Sequence, residues 1–191
     1  TFGLVVLAFT IYMVPGLWGA PLKLISGFPP PMQYSESPNG VGYIDLNAGN
    51  AQGEHFLPEG AHLGPHGLVA FLDYDKGMAY AKQVNKPVLL DFTGHACVNC
   101  RKMEEKVWSD PAVLNVLKNE VVLISLYVDD KRELPKEEQY FSEITGKNIR
   151  SIGNKWSEFQ IKKYQANAQP YYVLLNHNGN NLNEHTAYNP N

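Results

Sequence analysis

Two cysteines, in the motif Cys97-Val98-Asn99-Cys100, are the residues best suited to chemistry. A C-x-x-C motif at the start of a helix can exchange thiols for disulfides, because the unpaired N–H groups of the first turn favour the thiolate of the first cysteine. Cys97 is therefore the expected nucleophile. Cys100, about one turn deeper, is placed to attack a mixed disulfide and release the partner. Val98 and Asn99 would tune the reduction potential.

The composition excludes several other classes of function. The chain has 191 residues, of which 44% are hydrophobic, and a formal net charge of −3. No Lys or Arg occurs from Leu24 to Tyr74, so the charge pattern offers no footprint for nucleic acid. Two cysteines cannot build a disulfide framework or a four-thiolate metal site. A metal site would need His95, His177 or His185 as further ligands, and their spacing fits no zinc motif.

The elements that must position the motif are predicted from residue 68 onward, where strand and helix signals alternate as in an α/β domain. A buried apolar strand leads directly into the loop before the cysteines. The predicted strands are 68–72, 87–92, 121–128, 171–175 and 182–188, of which the last two form a hairpin. The predicted helices are 75–84, 97–106, 110–117 and 155–164. The polar segment 129–154 is predicted to be a helical insertion.

The first 67 residues have a different character. Residues 1–22 are predicted to form a transmembrane helix, because they carry no charge and approach the roughly 20 apolar residues that cross a bilayer. A signal peptide and a buried soluble helix are the alternatives. Residues 23–67 are rich in Gly, Pro, Asn and Ser, and they are predicted to be a linker. Because the chain starts at Thr1, we expect a fragment of a longer protein.

The segment Asp91-Phe-Thr-Gly-His-Ala-Cys-Val-Asn-Cys-Arg-Lys-Met-Glu104 resembles the active-site segment of thioredoxin-like proteins. More narrowly, residues 68–188 resemble the C-terminal periplasmic domain of DsbD-type thiol:disulfide interchange proteins, also called cytochrome c biogenesis thiol reductases. The resemblance implies a thioredoxin-like fold over 68–191, with a central mixed sheet flanked by helices. It implies a redox-active Cys97–Cys100 disulfide, no other cofactor and no metal. A closing helix is expected after Tyr188, beyond this chain.

The resemblance also implies roles for individual residues. The two carboxylates of the family fall on Asp91 and Glu104, where each could exchange a proton with a thiol and raise its pKa. Without the resemblance, both would be interpreted as solvent-exposed acids. The cis proline of the family falls on Pro170, although an ordinary trans proline opening a strand is the alternative. The surface that binds partners is expected to comprise Ala96, Val98, Asn99, Gln169 and Pro170. Ala96 departs from the family, which commonly has Trp there.

These observations favour a membrane-anchored protein-disulfide reductase. Acidic residues beside the thiols disfavour the thiolate, whereas strong oxidants stabilise their reduced form. The resemblance implies a cysteine pair in upstream membrane helices as the electron donor. Periplasmic thioredoxin-like or isomerase proteins would be the acceptors, which places the domain in the periplasm at the inner membrane. An extracytoplasmic thiol oxidase or isomerase and a non-catalytic thioredoxin-like binding module are the alternatives.

Overall fold

The computed structural model describes residues 2–15, 25, 57–184 and 186–187. Helix α1 (Phe2–Met13) has no buried residue. Its 12 residues extend about 18 Å, whereas the hydrocarbon core of a bilayer is about 30 Å thick. Accordingly, no helix in the described part of the chain is both long enough and apolar enough to cross a membrane. Residues 16–22 of the predicted span lie outside the described residues, as does the predicted linker up to residue 56 except residue 25.

A six-stranded mixed sheet organises the chain from residue 57 onward. Its strands are β1 (Ala61–Leu63), β2 (Val69–Phe71), β3 (Val88–Thr93), β4 (Val122–Tyr127), β7 (Tyr171–Leu175) and β8 (Thr186–Ala187), whereas β5 (Tyr140–Ser142) and β6 (Lys147–Ile149) form a separate hairpin. The order across the sheet is β1-β2-β4-β3-β7-β8. Strands β2, β4 and β3 are parallel, and β1, β7 and β8 are antiparallel to their neighbours. The predicted α/β class with a mixed sheet is confirmed.

Four helices accompany this sheet, and polar side chains define where three of them begin. They are α2 (Tyr74–Val84), α3 (Val98–Met103), α4 (Pro111–Asn119) and α5 (Ile152–Tyr164), and a π-helical turn over Glu104–Trp108 continues α3. Asp73, Asp110 and Ser151 cap the first turns of α2, α4 and α5 by accepting backbone N–H hydrogen bonds. Short 3₁₀ turns occur at Pro65–Gly67 and Lys136–Glu138.

The alternation of side chains along β3 separates the core from the site. Val88, Leu90 and Phe92 are fully buried on the face covered by α2 and α5. Successive strand residues point to opposite faces, so Asp91 and Thr93 lie on the other face. A second apolar cluster, built on Trp108, Leu117 and Leu123 among others, covers that face. The helix that carries the cysteines therefore packs over a strand that presents an aspartate to it.

Four segments differ from the sequence prediction. Strand β1 pairs with β2, so residues 61–63, which were assigned to the linker, belong to the sheet. The segment 129–154 is not a helical insertion, because the turn at Gly146 (φ +65°) allows β5 and β6 to pair as a hairpin. Helix α5 begins at Ile152 because Ser151 caps it. Of the predicted strand 182–188, the described residues form a strand only at 186–187.

Candidate active site

The two cysteines lie at the tip of the helix that follows β3. Cys97 is the N-cap of α3, and the backbone N–H of Cys100 donates to its Sγ at 3.2 Å. The two sulfur atoms form a disulfide with an S–S distance of 1.99 Å. Cys97 is half-buried and Cys100 is only 1% exposed. The predicted location of the motif at a helix start is confirmed, and Cys97 is the sulfur that another protein can reach.

The loop before the cysteines is held by the carboxylate of Asp129, which follows β4. Asp129 accepts hydrogen bonds from the backbone N–H groups of His95 (Oδ1, 2.8 Å) and Ala96 (Oδ2, 2.9 Å). A Cβ at Gly94 would lie 3.0 Å from Asp129 Oδ2, so the carboxylate is packed directly against the loop backbone. Both oxygens of one side chain thus fix the approach to Cys97.

Asp91 is buried in the middle of the sheet, beneath the active-site helix. It is 2% exposed, and in the sheet register it lies opposite Ser125 on one side and Tyr172 on the other. The hydroxyl of Ser125 donates to Asp91 Oδ2 at 3.3 Å. Burial raises the pKa of Asp91 to about 7, against the opposing effects of the Arg101 guanidinium and the Ser125 hydrogen bond.

Glu104 is a second buried carboxyl, 6% exposed, at the start of the π-helical turn. Arg101 Nη1 lies 2.8 Å from its Oε2. Burial raises the pKa of Glu104 to about 8; the Arg101 charge opposes this rise, and the negative charge of Asp91 adds to it. The interpretation of Asp91 and Glu104 as solvent-exposed acids is therefore wrong. Arg101 Nη2 also donates to Thr93 Oγ1 at 3.3 Å, which ties the helix to the end of β3.

Two further residues adjoin these carboxyls. Burial and the nearby charges of Asp91 and Glu104 raise the pKa of the Tyr172 phenol above its ordinary value. The imidazole of His66 donates from Nε2 to the backbone carbonyl of Glu104 at 2.7 Å. His66 belongs to the 3₁₀ turn between β1 and β2, so the N-terminal edge of the sheet is tied to the active-site helix.

The Gln169–Pro170 peptide bond is cis, as predicted. Pro170 is buried and immediately precedes β7, whose Tyr171 lies opposite Phe92 of β3. Helix α5 holds the segment before the proline through Gln160, which is fully buried. The Gln160 side chain donates to the carbonyl of Ala168 at 2.9 Å and accepts from Gln169 Nε2 at 3.1 Å.

The surface around Cys97 also contains His95 and three residues predicted to meet partners. Ala96 is exposed, and Val98 and Asn99 are half-buried. The His95 ring stacks on Tyr127 with centroids 4.1 Å apart. Burial lowers the pKa of His95, whereas the negative charges of Asp129 and Asp130 oppose that change. Within the described residues, no group of three His, Cys, Asp or Glu side chains is arranged to hold a metal ion.

The C-x-x-C motif and its flanking segments do not predict four residues of the site, namely Arg101, Ser125, Asp129 and Tyr172. Ser125 carried a usable signal, because it is the one polar residue in the strand Val-Leu-Ile-Ser-Leu-Tyr. Tyr172 occupies the same face as Asp91 by strand alternation once the register of β3 and β7 is known. Asp129 carried no such signal, because it binds backbone N–H groups that lie 34 and 33 residues earlier in the chain. Arg101 follows Cys100 directly, but its role depends on the burial that it shares with Glu104.

The chain is similar to a known domain family and to several individual proteins. A family model described as a thioredoxin-like domain matches residues 74–191. A 46-residue stretch is 48% identical to the thiol:disulfide interchange protein DsbD of Vibrio vulnificus strains CMCP6 and YJ016, and it covers 24% of this chain but only 8% of those proteins. Among solved structures, DsbH oxidoreductase aligns with 20% identity and a TM-score of 0.45 over 62% of this chain and 72% of that one. A thioredoxin from Thermus thermophilus aligns with 23% identity and a TM-score of 0.35 over 53% and 59%.

The family match covers more than half of the chain and contains every residue of the site described above except His66. Within it, Cys97 and Cys100 form the disulfide that a C-x-x-C oxidoreductase requires. The chain therefore belongs to the thioredoxin-like family and has the fold of a disulfide oxidoreductase.

Proposed function

We propose that the domain is a protein-disulfide reductase that passes two electrons from the Cys97–Cys100 dithiol to an oxidised protein. The thiolate of Cys97 attacks the partner's disulfide, forms a mixed disulfide and releases the first partner sulfur. Cys100 then loses its proton and attacks Cys97 Sγ, which releases the second partner sulfur. Both partner sulfurs end as thiols, and Cys97 and Cys100 end as the disulfide. The supporting observation is a half-buried Cys97 above a buried Cys100 at one helix tip.

The buried carboxyls favour reduction over oxidation as the direction of exchange. Strongly oxidising proteins of this class stabilise their thiolate. Here Asp91 and Glu104 lie on the sheet face and helix beneath the motif, where any negative charge raises the pKa of a nearby thiol. The positive charge of Arg101 is paired with Glu104 at 2.8 Å rather than left for the thiolate. The reduced form is therefore stabilised less than in a strong oxidant, which is typical of a reductant.

We further infer that the domain works outside the cytoplasm in a membrane-anchored protein of the DsbD type. The similarity to the Vibrio DsbD proteins supports this assignment, as does the apolar character of residues 1–22. In that arrangement a cysteine pair in upstream membrane helices donates electrons to Cys97–Cys100. Periplasmic thioredoxin-like or isomerase proteins accept them, and they bind at Ala96, Val98, Asn99, Gln169 and Pro170. No cofactor beyond the disulfide is required.

Trapping tests the exchange step. A Cys100→Ser variant should accumulate mixed disulfides through Cys97 in periplasmic extract, because the sulfur that releases the partner is gone. Cys97→Ser is the matched control and should accumulate far fewer. Equal trapping by the two variants, or none by either, would contradict the mechanism.

The reduction potential tests the direction. A value near that of thioredoxin, about −270 mV, is expected for a reductant, whereas a value near about −120 mV would identify an oxidase.

The membrane anchor is tested separately with the full chain. It should resist carbonate extraction from membranes, and Ile11→Arg should weaken this resistance because a charge at the centre of a membrane helix costs about 3 kcal/mol. Complete extraction of both proteins would exclude the anchor.

A further inference from the structure

A cavity of about 800 Å³ lies beside the active-site loop. Its lining includes His62 and Pro65 from the β1–β2 region, Tyr127 and Asp129 from the end of β4, and His95 from the loop. Backbone and charged groups contribute polar atoms to this lining, and the space is large enough for many water molecules. The cavity is therefore a route by which solvent can reach the interior near the motif.

Two buried side chains of the carboxyl cluster lie in the wall of this cavity, namely Ser125 and Glu104. Asp91 is not part of the wall, although it is the deepest carboxyl at 2% exposure. Its Oδ2 accepts from the Ser125 hydroxyl at 3.3 Å, and its Oδ1 has no hydrogen-bond partner among the described residues. The Ser125 hydroxyl is thus the hydrogen-bonded link between Asp91 and the cavity.

The exchange reaction needs such a link, because Cys100 is 1% exposed and must lose a proton before it attacks Cys97. In the proposed reaction the Asp91 carboxylate accepts that proton, and the Cys100 sulfur forms a bond to Cys97 Sγ as the bond from Cys97 to the partner breaks. The leaving partner sulfur takes the electron pair. Asp91, now protonated, must return its proton to solvent before it can serve again.

We propose that the Ser125 hydroxyl relays protons between Asp91 and the water of this cavity, which makes Ser125 a positioning residue for proton transfer. A hydroxyl can do this because it accepts a proton on one side while it donates on the other. This inference rests on the proposed function, since it assigns a route to the proton that the reductase reaction releases.

The other polar groups around Asp91 define which alternative routes its proton has to the solvent. Arg101 of α3 lowers the pKa of Asp91, and the Asp91 charge raises the pKa of Tyr172 of β7 and of Glu104 of the π-helical turn. Of these three, only Glu104 lies in the cavity wall. A route through Glu104 would not depend on the Ser125 hydroxyl, so removing that hydroxyl distinguishes the two.

The experiment isolates the step in which Cys100 is deprotonated. Reduced full-length chain is mixed with excess Ellman's reagent, so that Cys97 acquires a thionitrobenzoate group and Cys100 then expels it as a coloured anion. The thionitrobenzoate anion leaves without taking up a proton. Its release by Cys100 is intramolecular, so the rate of this second release does not depend on the concentration of Ellman's reagent. Wild type is compared with Ser125→Ala, with Ser125→Thr, which keeps the hydroxyl, and with Ser125→Val, which matches threonine in shape but lacks it.

At pH 6 about one tenth of Asp91 is ionised, because its pKa is about 7. Wild type and Ser125→Thr should release the second thionitrobenzoate in a single phase, since the relay keeps Asp91 at protonation equilibrium. Ser125→Ala and Ser125→Val should show two phases, with a fast phase of at most about one tenth of the amplitude. The slow phase should have a larger solvent isotope effect than the fast phase.

Two outcomes would overturn the inference, and they are distinguishable. A single phase in all four proteins, whatever their rates, would show that the hydroxyl carries no protons and would leave the reductase proposal standing. Failure of wild type to expel the second thionitrobenzoate at any pH would show that Cys100 does not resolve mixed disulfides. That result would overturn the proposed function together with the relay.

Discussion

Arg101 and Glu104 form an ion pair inside the protein, with Nη1 and Oε2 2.8 Å apart and side-chain exposures of 4% and 9%. Arg101 follows the second cysteine directly, so the pair lies one turn beneath the disulfide. Its guanidinium also donates to the Gly94 carbonyl at 3.4 Å. One cation therefore connects the active-site helix, the buried carboxyls and the loop before Cys97.

Removing that cation should destabilise the fold. Well above pH 8 Glu104 is ionised, so Arg101→Met leaves a buried carboxylate without its partner, and breaking a buried pair from one side costs up to about 3–5 kcal/mol. The double variant Arg101→Met/Glu104→Gln should lose less, because no charge is left unpaired. Arg150→Met, at an exposed position, is the control and should change the free energy of unfolding by no more than about 0.5 kcal/mol. Urea unfolding at about pH 9.5, above the Glu104 pKa of about 8, measures all three, and equal losses for the single and double variants would contradict the pairing.

The high pKa of Asp91 predicts a pH-dependent stability. Because the pKa is raised to about 7 in the folded state, from an ordinary value of 3.8, the folded protein holds its proton more tightly than the unfolded chain. This stabilisation is complete below pH 4 and is lost as the pH rises through about 7. Asp91→Asn imitates the protonated carboxyl and cannot ionise. The unfolding free energy of wild type should thus fall relative to Asp91→Asn by about 4 kcal/mol between pH 4 and pH 9.

Glu104 titrates in the same pH range as Asp91. The effect of Asp91→Asn on the unfolding free energy should therefore be measured in a protein that also carries Glu104→Gln and keeps its disulfide. Denaturant unfolding at several pH values measures the difference between the two proteins. Parallel curves for Glu104→Gln with and without Asp91→Asn would show that the Asp91 carboxyl is not protonated in the folded protein.

Asp129 should control the order of the active-site loop. Asp129→Ala leaves the N–H groups of half-buried His95 and exposed Ala96 without this acceptor, and the loss of a typical hydrogen bond costs about 0.5–1.5 kcal/mol. Asp129→Asn keeps one acceptor oxygen, so its loss should be roughly half as large. Hydrogen exchange of the two amides should accelerate in the order wild type, Asp129→Asn, Asp129→Ala. Unchanged exchange at both amides would refute this role.

Gly153 should not tolerate a side chain. A Cβ there would lie 2.6 Å from the backbone N of Asp130 and from the carbonyl of Val128, so the backbone after β4 would have to move. Gly153→Ala should therefore reduce stability by about 2 kcal/mol or more, despite the better helix propensity of alanine. Gly64→Ala is the matched control, since its Cβ would meet nothing closer than 3.5 Å and should be nearly neutral. Thermal unfolding distinguishes the two, and equal melting temperatures would contradict the prediction.

Much of the fold could be predicted because local patterns imposed it. The apolar run over 87–92 appears as β3, and Asp110-Pro111 starts α4 with a capping carboxylate and a proline at the first helical position. The segment 129–154 was mispredicted because its polar composition has no period that distinguishes helix from hairpin. Its structure depends instead on one glycine turn and on pairing between β5 and β6.

The sequence by itself determined the chemistry of this protein: two thiols at C-x-x-C spacing, a strand that leads into them, and a proline positioned to open β7. Only the tertiary structure decided how that chemistry is controlled. Burial and partners come from residues that are distant along the chain, such as Ser125 and Tyr172 on either side of Asp91, or Asp129 beneath His95. The pKa of a carboxyl depends on solvent exclusion and on charges within a few ångströms, and neither is set by neighbours in sequence.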